Sequence, residues 1–199
     1  AWLCVLLALF GLPITADAER AQFTALTGRK APPETPVQEC WLIVGRRGGK
    51  SFIVALIAVF LACFRDYRPF LGPGEIGVVM IIAVDRKQAR VIHRYITAIL
   101  NSVPMLAATI TRQDNESIDL DNRISIEITT ASYRTIRGYT VVAALCDEIA
   151  FWRSEDSANP AEEILGALRP AMSTIPGALL IGLGTPYRRG GPLYDAHRR

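Results

Sequence analysis

Two apolar segments separated by a glycine-rich turn lie between residues 39 and 64, and this succession constrains the fold more than any other feature. Residues 39–45 (ECWLIVG) predict a short buried strand. The apolar run 52–64 (FIVALIAVFLACF) predicts a fully buried helix from about Gly49 to Phe64. Because a bilayer-spanning helix needs about 20 apolar residues, this run is too short to favour a membrane segment.

The turn itself, Gly45-Arg46-Arg47-Gly48-Gly49-Lys50-Ser51, is typical of a phosphate-binding loop. Glycines let several backbone N–H groups point at phosphates, and the helix N-terminus adds its dipole. We expect Lys50 to bridge the β- and γ-phosphates and the Ser51 hydroxyl to ligate Mg²⁺. The loop is one residue shorter than usual, because Val44 stands where the first glycine is expected. The alternative is a surface turn that merely contains Gly-Lys-Ser.

Further buried strands are predicted at residues 76–84, 139–146 and 178–183. Helices are predicted at about 86–100, capped by Asp85, and from Asn159-Pro160 to a stop or kink at Pro170. Short alternating stretches within 107–137 predict antiparallel strands. Strands that alternate with helices indicate an α/β sandwich around a mostly parallel sheet. The proline-containing segment 27–38 predicts a linker, so we expect a helical segment at 1–38 and one main domain at 39–199.

An acidic pair, Asp147-Glu148, directly follows the strand predicted at 139–146. This is a Walker B arrangement, in which we expect Asp147 to hold Mg²⁺ and Glu148 to accept a proton from the attacking water or to orient it. The strand is expected to lie beside the phosphate-loop strand, with the two ends level. Thr185 follows the last strand and is placed to sense the γ-phosphate. Taken singly, the acidic pair is equally consistent with a solvated turn, and the segment with Thr185 favours a plain turn at the end of a strand.

The arginines carry two interpretations. Arg46 and Arg47 lie inside the phosphate loop, and Arg134 and Arg137 precede the Walker B strand. A cation there is able to stabilise the charge that develops on the γ-phosphate, within the subunit or in a neighbouring one. Simple solvation is the alternative. A further set on one helix face either follows a phosphate backbone or forms the solvated side of an amphipathic helix: Lys87, Arg90 and Arg94.

Composition excludes several classes of protein. A formal net charge of +3 is too small to indicate a nucleic-acid binder by itself. The four cysteines form no C-x-x-C pair and the two histidines share no ligand spacing, so we expect reduced thiols rather than a zinc site. Residues 3–10 are apolar, but no basic segment precedes them, which argues against a secretion signal.

Three segments together carry a family resemblance: GRRGGKS, SYRTIRGYTVVAALCDEIAFW and GLGTPY, in that order. They resemble the ATPase domain of bacteriophage terminase large subunits over most of residues 20–195. The resemblance implies a P-loop NTPase fold, a three-layer α/β/α sandwich of the additional-strand type with a catalytic glutamate. It also implies ATP and Mg²⁺ as cofactors, and translocation of double-stranded DNA into a procapsid in the host cytoplasm. The implied partners are the terminase small subunit, the portal protein and further copies in a ring.

The resemblance also implies roles for individual residues. Arg46 matches an arginine finger that acts within the subunit, and Arg137 resembles a position that acts on the neighbouring subunit's ATP. The remaining matches are the Walker A pair, the Walker B pair and the coupling motif: Lys50 and Ser51, Asp147 and Glu148, and Thr185. Adenine contacts are expected upstream of the loop, from Gln22 and Phe23 or from Gln38.

Terminase large subunits also carry a C-terminal nuclease with clustered aspartates, and no such cluster precedes Arg199. Either the sequence is a piece of a longer protein or the nuclease is a separate chain, and the start at Ala1 rather than Met leads us to expect the former. Two other functions stay open at this point. One is a helicase-like or other P-loop ATPase that acts on nucleic acid, and the other is a membrane-associated protein without enzymatic activity.

Overall fold

The fold was derived from a computed structural model, which describes residues 1–131, 136, 138–153, 159–187 and 189–198. Two compact units are present, Ala1–Cys40 and Trp41–Arg199. The assignment of residues 1–38 and 39–199 as separate functional domains stays a prediction.

The first unit contains two helices, α1 (Trp2–Leu9) and α2 (Asp17–Thr27). Helix α2 ends at Gly28, which adopts a left-handed conformation with φ of 68°. A small apolar cluster joins the two helices through Ala8, Ile14 and Phe23. No helix or strand occupies the segment from Gly28 to Gln38, in agreement with its proline content.

The second unit is built on a seven-stranded sheet and five helices among its described residues. The strands are β1 (Glu39–Ile43), β2 (Gly77–Ala83), β3 (Ile110–Gln113), β4 (Ser117–Leu120), β5 (Ile124–Thr130), β6 (Thr140–Cys146) and β7 (Leu179–Gly184). The helices are α3 (Lys50–Phe64), α4 (Arg86–Ser102), α5 (Pro104–Ala107), α6 (Pro160–Met172) and α7 (Pro192–Arg198).

Strand order in the sheet is β1-β7-β6-β2-β5-β4-β3. Strand β2 pairs in parallel with both β5 and β6, and β6 pairs in parallel with β7. The expectation that the phosphate-loop strand lies beside the Walker B strand is wrong, because β7 lies between β1 and β6. The prediction that β1 is buried is also wrong, because β1 lies at the edge of the sheet and its residues are half-buried or exposed. An apolar run in the sequence does not show which strand is its neighbour or whether it lies at an edge, and β7 supplies the additional strand.

The region predicted to be antiparallel has a mixed character. Strands β3 and β4 pair antiparallel, as do β4 and β5. Strand β5 is also the parallel partner of β2, so it joins the antiparallel edge to the parallel centre. The sequence therefore predicted these strands correctly but missed the second partner of β5.

Helices cover the central strands of the sheet. Helices α3 and α4 pack against each other and against β2 and β5, whereas α6 packs against β6 and α7 against β7. Every residue of β2 and β7 is buried, which requires cover on both faces of the sheet. The result is the predicted α/β sandwich with a mostly parallel sheet. Helix α4 presents one buried stripe to this core, made of Ile92, Ile96 and Leu100.

Strands β1 and β7 approach each other closely at one glycine. A β-carbon on Gly182 would lie 2.3 Å from Cζ3 and 2.4 Å from Cε3 of the Trp41 ring. These distances are well inside van der Waals contact, and a rigid indole has no flexible end that could move aside. Only glycine at 182 therefore leaves room for the Trp41 ring against β7.

We expect Gly182→Ala to destabilise the protein by on the order of 2 kcal/mol, because the added methyl group overpacks the Trp41 site. Urea unfolding followed by fluorescence measures this change. Gly166→Ala is the matched control: it lies in α6, and a β-carbon there meets nothing within 4 Å. The control should stabilise the protein by about 0.5–1 kcal/mol through helix propensity. Equal destabilisation by both variants would contradict the packing argument.

Candidate functional site

The loop between β1 and α3 is shaped by close approach and by unusual backbone angles. A β-carbon on Gly48 would lie 2.5 Å from Cγ1 of Val44, so the loop folds back on the end of its own strand. Gly49 and Arg47 both have positive φ, 81° and 62°. Helix α3 begins at Lys50, and Gly49 at its N-cap has no side chain to cap the first N–H groups. Such an end is a ready site for an anion.

Lys50 is the buried cation of this loop, with 9% of its surface exposed. Its Nζ donates to the carbonyl oxygens of Val44 and Gly45, each at 3.3 Å, and to Thr185 Oγ1 at 3.0 Å. It also forms an ion pair with Glu148 Oε1 at 3.1 Å. An ammonium group has only three hydrogens to share among these four acceptors. An incoming phosphate oxygen can therefore take the place of one of them.

Glu148 lies in the turn that follows β6, one residue after Asp147. Its backbone is left-handed, with φ of 50° and ψ of 41°, which is uncommon for a residue with a side chain. The carboxylate accepts from the Thr185 backbone N–H at 2.9 Å and from the Thr185 hydroxyl at 3.3 Å. The hydrogen bonds from Thr185 and the ion pair with Lys50 offset the cost of this backbone conformation. They hold the Glu148 carboxylate between Lys50 and the end of β7.

Asp147 is completely buried at the end of β6. Its backbone N–H donates to the Ile82 carbonyl of β2 at 2.8 Å, and its backbone carbonyl accepts from Trp152 Nε1 at 2.9 Å. Carboxylate Oδ2 accepts from the Gln88 amide at 2.9 Å, but Oδ1 has no hydrogen-bond partner. Desolvation, with a smaller contribution from the neighbouring Glu148 charge, raises the pKa of Asp147 from 3.8 to about 6.

The structure adds Gln88 to the site, a residue that the sequence analysis did not select. Its Nε2 donates both to Asp147 Oδ2 and to Ser51 Oγ, the latter at 2.7 Å. Gln88 lies in the first turn of α4, just beyond the carboxyl end of β2. A polar residue in the first turn after a buried parallel strand is a signal that the sequence contains. That signal does not by itself single out Gln88, because its partners Ser51 and Asp147 come from other segments of the chain.

Aromatic contacts fix the two turns that follow β6 and β7. Phe151, in a short 3₁₀ turn after Glu148, lies with its ring centroid 4.4 Å from that of Tyr187. Tyr187 follows Thr185 by two residues, so the contact ties the turn after the acidic pair to the turn that carries the threonine. Trp152 adds its hydrogen bond to the Asp147 carbonyl.

Most of the site residues predicted from the sequence lie together at one edge of the sheet: Lys50, Ser51, Asp147, Glu148 and Thr185. Gly45, Gly48 and Gly49 form the loop around Lys50. Arg46 and Arg47 are exposed on this loop, and neither forms an ion pair with another described residue. Arg134 and Arg137 lie outside the described residues. Phe23 packs in the core of the first unit, so its predicted adenine contact stays a prediction.

A divalent cation fits the donor atoms of this site. Asp147 Oδ1 is a buried anionic oxygen without a partner, and the Ser51 hydroxyl shares the Gln88 amide with the same carboxylate. Mg²⁺ prefers oxygen ligands and takes only one or two carboxylates, with water and phosphate oxygens completing its octahedron. Ser51 and Asp147 are therefore the residues that would hold Mg²⁺.

Comparisons with known proteins decide the family. The family model for the terminase large subunit, T4likevirus-type, N-terminal, matches residues 42–164, which is more than half of the chain. The chain belongs to this terminase family. No curated protein matches the sequence.

Solved structures share the fold with this terminase chain. The ATPase domain of the Thermus phage P74-26 large terminase has 22% sequence identity and a TM-score of 0.56, with 91% of this chain and 72% of that chain covered. An arginine-to-alanine variant of that domain gives 20% identity, a TM-score of 0.55 and coverage of 85% and 70%. The HK97 bacteriophage large terminase gives 18% identity and a TM-score of 0.56 over 87% of this chain. The present chain spans 34% of the HK97 protein.

These findings bear on the alternatives. Terminase ATPase domains have the P-loop NTPase-like fold with a mostly parallel sheet, which confirms the fold class and the family predicted from the three motifs. Family membership places the chain with terminase large subunits rather than with helicases. Across the part of the chain that the structure describes, no helix has both the length and the apolar character needed to span a membrane.

The raised pKa of Asp147 predicts how stability depends on pH. Because the folded-state pKa is above the unfolded value, the folded protein binds the extra proton between about pH 4 and pH 6, and ionisation above that range costs stability. We therefore expect Asp147→Asn to stabilise the metal-free protein by on the order of 2 kcal/mol at about pH 8. The gain should vanish towards about pH 3, which is below both pKa values, so that the aspartate is protonated in the folded and the unfolded state.

Urea unfolding in EDTA at the two pH values measures this difference. Asp121→Asn is the control, because Asp121 is exposed on a turn. If Asp147→Asn raises the free energy of unfolding no more at the higher pH than at the lower one, burial of the Asp147 charge does not limit stability.

Proposed function

We propose that this chain is the ATP-hydrolysing part of a terminase large subunit, and that it uses ATP and Mg²⁺ to drive double-stranded DNA into a procapsid. One observation carries the proposal. Lys50 of the glycine-rich loop lies within hydrogen-bonding distance of both Glu148 and Thr185, which follow two different strands. A phosphate-binding cation, an acid suited to activate water and a hydroxyl thus occupy one edge of the sheet, where ligands bind in open α/β folds.

In this proposal the loop binds the phosphates. The first N–H groups of α3 and the Lys50 ammonium offer donors and positive charge at the same place. A phosphate oxygen that reaches Lys50 replaces Glu148 as its partner, since both compete for the same three hydrogens. Arg46 is exposed on the loop and is free to approach the γ-phosphate charge that grows during transfer.

Glu148 is the proposed base. Once its bond to Lys50 is replaced, its carboxylate accepts a proton from a water molecule while the water oxygen bonds to the γ-phosphorus. The bond from that phosphorus to the bridging oxygen breaks, and its electron pair leaves with ADP. Ser51 and Asp147 would hold the magnesium ion, which would supply neutralisation of the phosphate charge. Gln88 already orients both of these side chains.

Thr185 is proposed to couple the chemistry to motion. Its hydroxyl contacts both Lys50 and Glu148, and its backbone N–H donates to Glu148. A change of partner at Lys50 therefore alters the bonds of Thr185 directly. Because Phe151 and Tyr187 tie the two flanking turns together, a displacement at 185 reaches the turn after β6 as well.

Lys50→Ala and Glu148→Gln test the chemistry. We expect Lys50→Ala to weaken nucleotide binding by about 10-fold or more, because the phosphates lose their buried cation. Glu148→Gln should bind nucleotide nearly as well as the wild type but turn over about 100-fold more slowly or worse, because the base is missing. Nucleotide binding by fluorescence, and hydrolysis with protein in excess of ATP, measure the two effects.

Lys30→Ala and Glu162→Gln are the matched controls, since both side chains are exposed and lie outside the described contacts of the site. Hydrolysis that survives Lys50→Ala would reject the proposed ATPase. Unaltered turnover in Glu148→Gln would reject that glutamate as the base. Hydrolysis with protein in excess detects activity that is slow without ring partners.

A cationic cleft supports DNA as the partner. The cleft has a volume of about 800 Å³ and lies between α4, the end of β5 and residues 115–116. Arg86, Arg90 and Arg94 recur every four residues and so lie on one side of α4, about 12 Å from first to last. None of these three arginines forms an ion pair with another described residue, and Glu116 is the acid among the lining residues. A row of unpaired cations suits a phosphate backbone.

Arg90→Glu combined with Arg94→Glu tests the cleft. Because each lost phosphate contact reduces counterion release, we expect at least about 10-fold weaker binding to random-sequence double-stranded DNA and a salt slope lower by about 2. Anisotropy titrations over a series of salt concentrations measure both. Arg29→Glu combined with Lys30→Glu makes the same change of charge in the first unit, outside the cleft. An equal effect of the two double variants would mean that only net charge matters.

The remaining parts of the proposal follow from the family alone. A ring of copies on the portal, in which Arg137 acts on the neighbouring ATP, and a small-subunit partner are what membership of the terminase family suggests.

A further inference from the structure

Gln88 has a backbone position that is fixed independently of its side chain. It is the third residue of α4, and its N–H donates to the Asp85 side chain at 2.8 Å. The Ala89 N–H donates to the Asp85 carbonyl at 3.0 Å. Asp85 in turn ends the connection from β2, the neighbour of β6 in the sheet. The helix cap therefore places Gln88 beside the end of the strand that leads to Asp147.

The side-chain amide of Gln88 uses both of its hydrogens on the proposed metal ligands. Nε2 lies 2.7 Å from Ser51 Oγ and 2.9 Å from Asp147 Oδ2. The opposite orientation of the amide would bring its oxygen against a carboxylate oxygen, two acceptors with no hydrogen between them. The chemistry of the neighbours thus fixes which end of the amide faces the site.

The two hydrogen bonds from Gln88 determine which oxygen atoms of Asp147 and Ser51 stay available to a metal ion. With Oδ2 engaged by the amide, Asp147 keeps Oδ1 as its buried oxygen without a partner. A serine oxygen has two lone pairs, so Ser51 retains one after it accepts from Gln88. Each ligand is therefore held by the same neutral donor while one acceptor position on it stays available.

We propose that Gln88 is a positioning residue for the magnesium site, which holds the Ser51 hydroxyl and the Asp147 carboxylate in the geometry that receives the ion. The inference rests on the proposed function, because it requires a metal-dependent nucleotide site. Gln88 itself is neither a ligand nor a base. Residues of this kind matter because removing the donor behind a metal ligand commonly lowers metal affinity by about 10- to 100-fold.

Gln88→Met removes both donors at nearly the same side-chain length. We expect Mn²⁺ to bind about 10- to 100-fold more weakly to this variant in complex with a non-hydrolysable ATP analogue. Affinity for the analogue in EDTA should stay within about 2-fold, since Lys50 and the loop are unchanged. Hydrolysis should need more Mg²⁺, with turnover at saturating Mg²⁺ closer to the wild type. Titration of free Mn²⁺ by electron paramagnetic resonance gives the affinity.

Gln113→Met is the matched control. Gln113 donates from β3 to Thr97 on the same helix, at 3.1 Å, so it tests the loss of an amide bond to α4 away from the site. Metal affinity should be unchanged in this variant. A change of equal size in both variants would assign the effect to the position of α4 as a whole and would overturn the role of Gln88.

The outcomes separate this inference from the proposed function. Wild-type protein that binds nucleotide equally well with and without metal would reject the metal-dependent site itself. Wild-type metal dependence that Gln88→Met retains in full would reject only the positioning role. If Gln88→Met does not fold, Gln88→Asn takes its place, because its amide is one carbon shorter and does not reach both acceptors. Wild-type Mn²⁺ affinity in Gln88→Asn would likewise overturn the inference.

Discussion

Parallel pairing of β2, β6 and β7 brings the carboxyl ends of three strands to one edge of the sheet. A polar residue follows each of these strands within two positions, and Lys50 enters the same edge from the loop after β1. No single segment contains the site, which exists only while these strands stay in register. A slip of one residue in β6 would turn Asp147 to the opposite face of the sheet and remove it from Gln88 and Ser51.

The site is maintained against the preferences of its own residues. Asp147 is an acid whose burial raises its pKa, and Glu148 has a left-handed backbone that side chains disfavour. Both costs are met by the surrounding structure, since β2 holds the Asp147 backbone and Thr185 holds the Glu148 carboxylate. A buried acid and a disfavoured backbone conformation are typical of functional sites, where a bound cation or reacting group supplies the stabilising contacts that are missing from the free protein.

The sequence predicted the parts of this molecule that depend on local chemistry. Buried runs identified the strands, Asp85 identified a helix start, and Lys50 with Asp147-Glu148 identified the edge that carries the site. Strand order was not predicted, because the insertion of β7 between β1 and β6 depends on packing between distant segments. Gln88 was missed for a related reason: a neutral residue in an amphipathic helix becomes significant only when its neighbours across the sheet are known.

The contact between Gly182 and Trp41 has a consequence for how this domain can change over evolutionary time. The two positions are more than a hundred residues apart in sequence, yet each fixes the size allowed at the other. A lineage that acquires a side chain at 182 must first replace the indole at 41 with something smaller, whereas a change in the opposite order creates a clash. The residues at 41 and 182 are therefore expected to change together, with the smaller residue at 41 appearing before the larger one at 182.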